Sequence, residues 1–270
     1  MKKIAFITGA TTGIGRETAI YLAKQDYTVY GAGRRQNKLK ELEAFNIKAI
    51  KMDVTDEASI VNGVKQIIDN EGRIDVLVNN AGFGSYGAVE DVPISDARYQ
   101  FEVNVFGAAR LIQLVLPYMR KQQSGKIVNI SSIGGKLSMP FGGWYHASKF
   151  ALEALSDSLR NEVSSFGVDV IVIEPGGVES EWAEISVNNL EKNSSETAYK
   201  LMAEKFAAGM RKTINKNAKA IVIAKLIYKA ITASKPKTRY SAGYMAKTAL
   251  MAKKLLSDHM FDKAMMSQLK

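Results

Sequence analysis

The stretch ITGATTGIGRETA, residues 7–19, decides the fold because closely spaced glycines in it join an apolar run to a helical pattern. The preceding run KIAFIT, residues 3–8, is typical of a strand that is buried on both faces. Gly9, Gly13 and Gly15 allow a tight turn, after which the N–H groups of a helix N-terminus can hold a pyrophosphate. This mechanism requires the position between the first strand and the first helix.

Strand and helix patterns alternate through the first 175 residues. The candidate strands are KIAFIT (3–8), TVYGAG (28–33), IKAIKM (47–52), IDVLVNN (74–80), KIVNIS (126–131) and VDVIVIEP (168–175). Helix-like stretches such as 14–25, 56–71 and 95–121 lie between them. The alternation predicts an α/β fold built from βαβ units, in which right-handed crossovers give a doubly wound, Rossmann-type parallel sheet with helices on both faces.

The pattern changes after Pro175. Residues 181–216 are helical and polar, 217–234 form another helix, KTRYSAG (237–243) is a seventh strand, and 243–267 is a terminal helix. We therefore expect one domain over 1–270, with a substrate lid at 181–216 and a helical tail at 243–270.

The composition argues against several kinds of site. The 270 residues include no cysteine, which removes disulfides, thiolate nucleophiles and zinc–thiolate centres. The two histidines are His146 and His259, so we expect no metal site. Glycines interrupt the basic start MKKIAFITGA, which we interpret as a strand and not a signal peptide. No segment approaches the roughly 20 apolar residues of a membrane span, and a cytoplasmic location is expected.

The formal net charge of +10 is concentrated near the end of the chain. Residues 1–180 hold 20 Lys+Arg against 20 Asp+Glu, whereas 181–270 hold 17 against 7. A nucleic-acid or anionic-membrane surface is one interpretation, and solvated lysines on amphipathic helices are the other. We favour the second because no nucleic-acid motif accompanies the charge. No nucleic-acid partner is expected, and membrane contact by residues 242–261 is the less favoured alternative to their covering the core or a partner subunit.

Within GGWYHASKFALEAL, residues 142–155, Tyr145 and Lys149 lie four residues apart and therefore share one helix face. An exposed pair with this spacing is common by chance. The rest of the chain makes chemistry the better interpretation, because NISS (129–132) closes the fifth strand and places Ser132 thirteen residues before Tyr145.

Further motifs occur in a fixed order. NNAG (79–82) ends the fourth strand, Asn104 lies in VNVFG, and EPGGVES (174–180) follows the sixth strand. Together with the T-G-x-x-x-G-x-G spacing that begins at Thr8, these motifs resemble the short-chain dehydrogenase/reductase family, closely over residues 1–182 and loosely beyond. GGW before Tyr145 and the strand KTRYSAG look like the branch related to hydroxysteroid and retinol dehydrogenases.

The resemblance implies that Tyr145 is the acid/base of a hydride transfer between a nicotinamide and a carbonyl. The Lys149 ammonium, with the oxidised nicotinamide, would lower the pKa of the phenol from near 10 and would also bond the ribose. Ser132 would hold the substrate oxygen, and Asn104 would support a water relay to Lys149. The alternatives are that Ser132 is a strand-end hydroxyl and that Asn104 bends its helix.

Two neighbouring residues are weaker candidates. Ser131 precedes Tyr145 by fourteen residues, one more than the family interval. His146 points about 100° away from Tyr145 around the helix, so we expect it in packing or in solvent.

The resemblance also implies the cofactor contacts. They are Gly9, Thr12, Gly13, Ile14, Gly15, Arg34, Arg35, Asp53, Val54, Asn80, Ala81, Gly82, Tyr145, Lys149, Pro175, Gly176, Val178 and Ser180. Gly33 stands where NAD-preferring relatives place an acidic residue, and Arg34 and Arg35 follow it, so we predict NADP(H). Two solvated arginines are the alternative, although a helix start is a poor place for cations.

The substrate is less constrained. Candidate pocket residues are Gly84, Ser138, Met139, Phe141, Trp144, Glu181 and Trp182, a mainly apolar set. We favour a bulky, steroid- or retinoid-like ketone or alcohol over a small aldehyde or a xenobiotic ketone. A non-catalytic NADPH sensor is a third possibility, disfavoured because the Ser–Tyr–Lys set is complete. A homo-oligomer, a dimer before a tetramer, is expected through the helices that carry Asn104 and Tyr145.

Overall fold

The predicted strands form a seven-stranded sheet in a computed structural model, which describes residues 2–267. All neighbouring strands are parallel, in the order β3-β2-β1-β4-β5-β6-β7. The strands are β1 (Lys3–Thr8), β2 (Tyr27–Gly33), β3 (Lys48–Lys51), β4 (Val76–Asn79), β5 (Gly125–Ile130), β6 (Val168–Pro175) and β7 (Arg239–Ala242). The predicted Rossmann-type fold is therefore confirmed, and the strand order reverses between β1 and β4.

Eleven α-helices are present in the described residues. They are α1 (Gly13–Ala23), α2 (Gln36–Glu43), α3 (Glu57–Glu71), α4 (Ile94–Phe101), α5 (Gly107–Gln122), α6 (Gly143–Glu162), α7 (Glu181–Ser194), α8 (Lys200–Ile214), α9 (Ala220–Thr232), α10 (Ala246–Leu255) and α11 (Asp258–Ser267). Within residues 2–267, no helix is both long and apolar enough to cross a membrane.

The continuous apolar strands are explained by burial on both sides of the sheet. On β1, Ala5 and Ile7 face a core formed with α1, α2 and α9, whereas Ile4 and Phe6 face a core formed with α3, α5 and α6. Alternate residues of a strand point to opposite faces, so each strand needs apolar residues at nearly every position. A third apolar cluster, which includes Tyr145, lies between α6, α7 and α8.

The predicted helix 95–121 is interrupted by a π-helical segment, Glu102–Phe106, between α4 and α5. Such segments insert one residue into a helix and occur frequently at functional sites. Asn104 lies inside the segment, which turns its side chain toward buried partners.

The predicted helix 217–234 is the single helix α9, whereas the helical regions before and after it each contain two helices. The predicted lid 181–216 consists of α7 and α8. The tail, predicted as one helix over 243–267, consists of α10 and α11, and residues 268–270 lie outside the described part. Ser257 separates these two helices, and its hydroxyl accepts a hydrogen bond from the Met260 N–H at 3.4 Å. A serine cap of this kind stabilises the start of a second helix, which is why the continuous-helix prediction was wrong.

Candidate active site

The loop after β1 leaves no room for a side chain at Gly9 or at Gly15. Gly9 and Gly13 have φ values of +63° and +52°, in the left-handed region that favours glycine. A Cβ at Gly9 would lie 2.8 Å from Asn80 Nδ2, and one at Gly15 would lie 2.3 Å from the Gly9 oxygen. Asn80 donates hydrogen bonds to the carbonyls of Thr8 and Gly9, at 2.9 and 3.2 Å, and holds the turn in place. The result is a bare backbone cradle at the N-terminus of α1.

A cavity of about 1020 Å³ extends from this cradle along the carboxyl ends of the strands. Most of the predicted cofactor residues line it, namely Gly9, Thr12, Gly13, Ile14, Arg34, Arg35, Asp53, Val54, Asn80, Ala81, Gly82, Tyr145, Lys149, Pro175, Gly176, Val178 and Ser180. Gly15 lies beneath the cradle, against Gly9 and Asn80, and does not line the cavity. The backbone that a phosphate would approach and the volume for a dinucleotide therefore occur together.

Tyr145, Lys149 and Ser132 lie in the wall of the same cavity. Tyr145 is 7% exposed and Lys149 is 5% exposed, so both functional groups are largely removed from water. The Lys149 Nζ donates a hydrogen bond to the Ile130 carbonyl at 2.8 Å and lies 5.9 Å from the centroid of the Tyr145 ring. The low exposure of both residues excludes the interpretation that they are a surface pair formed by chance. A buried ammonium needs a specific partner, which the Ile130 carbonyl provides.

Burial dominates the protonation of this pair. It raises the pKa of Tyr145 to about 12, and a hydrogen bond with Ser132 lowers that pKa. Burial also lowers the pKa of Lys149 to about 8, while the charge of Glu153 raises it. Among the protein groups, burial is the largest influence on the pKa of Tyr145, and the lowering expected from Lys149 together with the oxidised nicotinamide stays a prediction. Near neutral pH the phenol keeps its proton and can donate it.

Ser132 follows β5 and has an extended backbone, with φ −167° and ψ 163°. Its Oγ accepts a hydrogen bond from the Gly134 N–H at 3.0 Å, which orients the hydroxyl. Ser131 also lines the cavity, but its buried Oγ has no hydrogen-bond partner among the described residues. The hydroxyl of Ser132 is therefore fixed by a hydrogen bond and lies beside Tyr145, whereas that of Ser131 is not fixed in this way.

Asn104 does not line the cavity but supports its wall. Its Nδ2 donates to the Phe83 carbonyl at 2.9 Å and to Ser148 Oγ at 3.0 Å, and its Oδ1 accepts from the Phe83 N–H at 3.0 Å. A Cβ at Gly82 would meet the Asn104 amide at 3.0 Å. The amide therefore holds the loop after β4 against α6. The water relay expected for Asn104 stays a prediction.

His146 is buried, packs against the Tyr145 ring and also lines the cavity. Its Nδ1 lies 3.0 Å from the Gly134 carbonyl, which can only accept, so Nδ1 carries the proton. Burial lowers the pKa of His146 and keeps the imidazole neutral.

Sequence reasoning missed a buried charge cluster next to Lys149. Glu153 lies one helical turn beyond Lys149 and is bonded by Arg239 Nε and by Lys136 Nζ, each at 2.9 Å. Glu174, the residue before Pro175 on β6, lies 3.5 Å from the same Arg239 nitrogen. Burial and the charge of Glu153 raise the pKa of Glu174 to about 7. The sequence did contain one sign of this cluster, since Glu153 follows Tyr145 by eight residues and lies on the same helix face.

The two arginines after β2 lie at the other end of the cavity. Arg34 is 64% exposed and donates a hydrogen bond to the Tyr99 hydroxyl at 2.7 Å, while Arg35 pairs with Glu181 at 2.9 Å. A Cβ at Gly33 would lie 2.6 Å from Thr11 Cγ2. An acidic side chain at position 33 therefore requires Thr11 to move, whereas the guanidiniums of Arg34 and Arg35 line the cavity.

The predicted substrate residues are divided. Met139, Glu181 and Trp182 line the cavity. Gly84, Ser138, Phe141 and Trp144 are not among its described lining residues. Gly84 packs beneath Trp182, Phe141 packs against Tyr199 and Phe206, Ser138 is exposed, and Trp144 is half-buried.

Several lining residues were not predicted. Tyr86 packs on both Tyr145 and Trp182, with ring centroids 5.8 Å apart in each case. Parts of α8, α10 and α11 also reach the cavity, although their sequences carry no motif.

Comparison with known proteins agrees with this geometry. The family described as "short chain dehydrogenase" matches residues 3–191. The Helicobacter pylori protein described as "Probable short-chain type dehydrogenase/reductase VdlC" is 37% identical over 261 residues, or 96% of this chain and 95% of the relative. A 3-ketodihydrosphingosine reductase of Bacteroides thetaiotaomicron is 42% identical over 174 residues, or 64% of this chain and 63% of the relative.

Solved structures share the fold. A short-chain dehydrogenase of Streptomyces avermitilis superposes with a TM-score of 0.80 at 31% identity, covering 100% of this chain and 96% of the other. A short-chain dehydrogenase/reductase of Burkholderia phymatum in complex with NAD gives 0.82 at 25% identity, with coverages of 94% and 92%. ElxO with NADP bound gives 0.74 at 28% identity, with coverages of 89% and 97%. A nicotinamide cofactor is common to the last two.

Proposed function

The chain belongs to the short-chain dehydrogenase/reductase family of oxidoreductases, and from that premise we propose that it interconverts a carbonyl and a secondary alcohol with NADP(H). One observation carries the proposal. The buried Tyr145 phenol lies beside Ser132 and Lys149 where a single cavity passes from the glycine cradle to an apolar wall. A dinucleotide and an apolar substrate can therefore meet at a proton donor.

The residues of this chain have separate tasks in the reaction. When bound, the reduced nicotinamide supplies a hydride to the carbonyl carbon. Ser132 donates a hydrogen bond to the carbonyl oxygen, and Tyr145 transfers its phenolic proton to that oxygen as the C=O π bond is lost. The Lys149 ammonium stabilises the phenolate that remains. Oxidation of the alcohol uses the same groups in reverse.

NADP(H) is the proposed cofactor because of the chemistry around Gly33. A phosphate on the adenosine ribose is attracted by the guanidiniums of Arg34 and Arg35, and no carboxylate at position 33 repels it. Asp53 lies 3.7 Å from the Arg34 guanidinium and partly offsets its charge. Arg35, which pairs with Glu181 at 2.9 Å, would exchange that partner for the phosphate.

The proposed substrate is a lipophilic ketone or the corresponding alcohol. Its support is the apolar wall around Met139 and Trp182, together with the likeness to a 3-ketodihydrosphingosine reductase. The branch resembling hydroxysteroid and retinol dehydrogenases stays a prediction. Small aldehydes and xenobiotic ketones remain the alternative substrates, and a non-catalytic NADPH sensor the alternative function.

We also expect a homodimer. Phe106 on the π-helical segment and Phe150 on α6 are 55% and 45% exposed, on the two helices expected to meet a second copy. Sedimentation of the parent and of a Phe150→Glu variant would test this, since a charge at a dimer interface should yield monomers. A cytoplasmic location stays a prediction for cell fractionation.

The function is tested by incubating the purified chain with NADPH or NADH and a panel of aldehydes and ketones of increasing size. The absorbance of the reduced cofactor reports turnover. We expect oxidation of NADPH with lipophilic ketones and slower oxidation of NADH. Tight NADPH binding without turnover on any carbonyl, or on any alcohol with NADP⁺, would favour the sensor.

A further inference from the structure

The cavity continues past Tyr145 into a cleft formed by three helices near the end of the chain. We call this part the tail cleft. Its lining comprises Phe206, Gly209, Met210, Thr213 and Ile214 of α8, Met245, Thr248, Ala249, Ala252 and Leu256 on or flanking α10, and Phe261, Ala264 and Met265 of α11. On each helix the spacing is three or four residues, so each helix contributes one face.

The tail cleft is apolar and elongated. None of its lining residues is charged, and its two hydroxyl groups belong to Thr213 and Thr248; Asn217 and Tyr244 line the cavity next to it. The lining residues of α8 lie within nine residues, Phe206–Ile214, or about 12 Å of helix, and those on or flanking α10 lie within twelve, Met245–Leu256, or about 16 Å. Since α8 packs on α7 whereas α11 packs on α10, the cleft separates two helical pairs.

We propose that the tail cleft binds an unbranched alkyl chain, and that the substrate is a long-chain aliphatic ketone whose carbonyl lies between Ser132 and Tyr145. This inference rests on the proposed function and narrows its substrate class. An alkyl chain matches a long apolar cleft between helix faces. Small residues such as Gly209, Ala249 and Ala252 leave space along both walls, and the methionines adapt their shape to a flexible chain.

Gly209 offers a way to fill the cleft without disturbing the fold. It lines the cleft and is exposed, and a Cβ placed there meets no atom within 4 Å. A larger residue should also favour the helix, because glycine is a poor helix former. Gly209→Phe should therefore obstruct the cleft, and Ala252→Phe should do so from the opposite wall.

The test uses methyl ketones of increasing chain length, with NADPH oxidation as the readout. In the parent, kcat/KM should rise about fourfold for each added methylene until the cleft is filled. In Gly209→Phe and Ala252→Phe the rise should stop at shorter chains than in the parent. Matched controls are Ala208→Phe and Met251→Phe, adjacent exposed residues that do not line the cleft and should behave as the parent does.

Binding separates this inference from the proposed function. Calorimetry with fatty alcohols of the same lengths reports on the cleft even where no turnover occurs, and circular dichroism shows that each variant is folded. Chain-length-dependent binding that both cleft variants reduce supports the tail cleft whatever the turnover. Turnover of short ketones without any gain from added methylenes would overturn the tail cleft and leave the proposed function standing. Chain-length profiles in both folded variants that match the parent would overturn it as well.

Discussion

Glu153 lies one helical turn beyond Lys149 on α6. The pKa of Lys149 is about 8, because burial lowers it by more than the Glu153 carboxylate raises it. The side chains of Tyr145, Lys149 and Glu153 therefore share one helix face at intervals of four residues. Acid, cation and carboxylate form a line, in which Glu153 acts on the reaction through Lys149.

Glu153→Gln should move the alkaline limb of the kcat–pH profile to lower pH. Removing the carboxylate lowers the pKa of Lys149 further below its ordinary value, so the ammonium that stabilises the phenolate is lost at lower pH. The profile is measured with NADPH and one ketone between about pH 6 and 10. Asp157→Asn is the control, because Asp157 also binds Arg239 but lies another turn from Lys149. An unchanged limb in Glu153→Gln, or an equal shift in the control, contradicts the role assigned to Glu153.

Tyr145→Phe should lower turnover by about 10² or more, the usual scale of general acid catalysis, while NADPH still binds. The change keeps the ring that packs against Tyr86 and Trp182 and removes the proton that the buried phenol retains near neutral pH. Tyr86→Phe, a neighbouring ring in the same cavity, should keep most of the parent turnover. Should Tyr145→Phe remain nearly as active as the parent, the proposed mechanism is wrong.

Arg34→Ala should raise the dissociation constant of NADPH by about tenfold, equivalent to about 1.4 kcal/mol, and leave that of NADH nearly unchanged. The guanidinium acts on the ribose phosphate, which NADH lacks. Cofactor titrations followed by fluorescence measure both constants, with Arg16→Ala, an arginine of α1 that does not line the cavity, as the control. An equal rise in the dissociation constants of both cofactors would show that Arg34 stabilises the fold or contacts the part of the nucleotide that both share.

Glu174→Gln should stabilise the chain at pH 8 relative to the parent, and much less so at pH 4.5. Burial raises the pKa of Glu174 from 4.5 to about 7, so the folded state prefers the protonated form. This preference contributes fully to the free energy of unfolding below pH 4.5, and the contribution is lost as the pH rises through 7. The free energy of unfolding changes by roughly 3 kcal/mol as a result. Urea unfolding at several pH values measures it. Glu179→Gln, an exposed neighbour, should have little effect at any pH; a similar gain there would remove burial as the cause.

The sheet and the cofactor cradle were predictable because each requires a residue pattern that lies within a short stretch of sequence. A strand buried on both faces is apolar throughout, as in Lys3–Thr8 and Val168–Pro175, and the glycines at positions 9 and 15 are needed where backbone meets Asn80 or Gly9. These features leave a mark within about ten residues of sequence.

Features that depend on distant parts of the chain were not predictable in the same way. The partners of Asn104 are Phe83 and Ser148, and Arg239 reaches Glu153 across 86 residues. The pKa of Tyr145 depends on how deeply α6 is buried, which the Y-x-x-x-K spacing does not report. The tail cleft likewise arises where three separate helices face one another, none of which has a distinctive sequence.

The edge strand β7 also affects the solubility of a chain that ends before it. Arg239–Ala242 pairs with Val172–Pro175 and is the last strand to be synthesised. Until it is in place, β6 presents a row of unpaired N–H and C=O groups beside some of the most apolar residues of the chain, the kind of edge that recruits strands from other molecules. A chain that ends before Arg239 should therefore aggregate even where the cofactor cradle has already folded. Pairing with the short seventh strand removes this longer edge of β6 from the surface of the sheet.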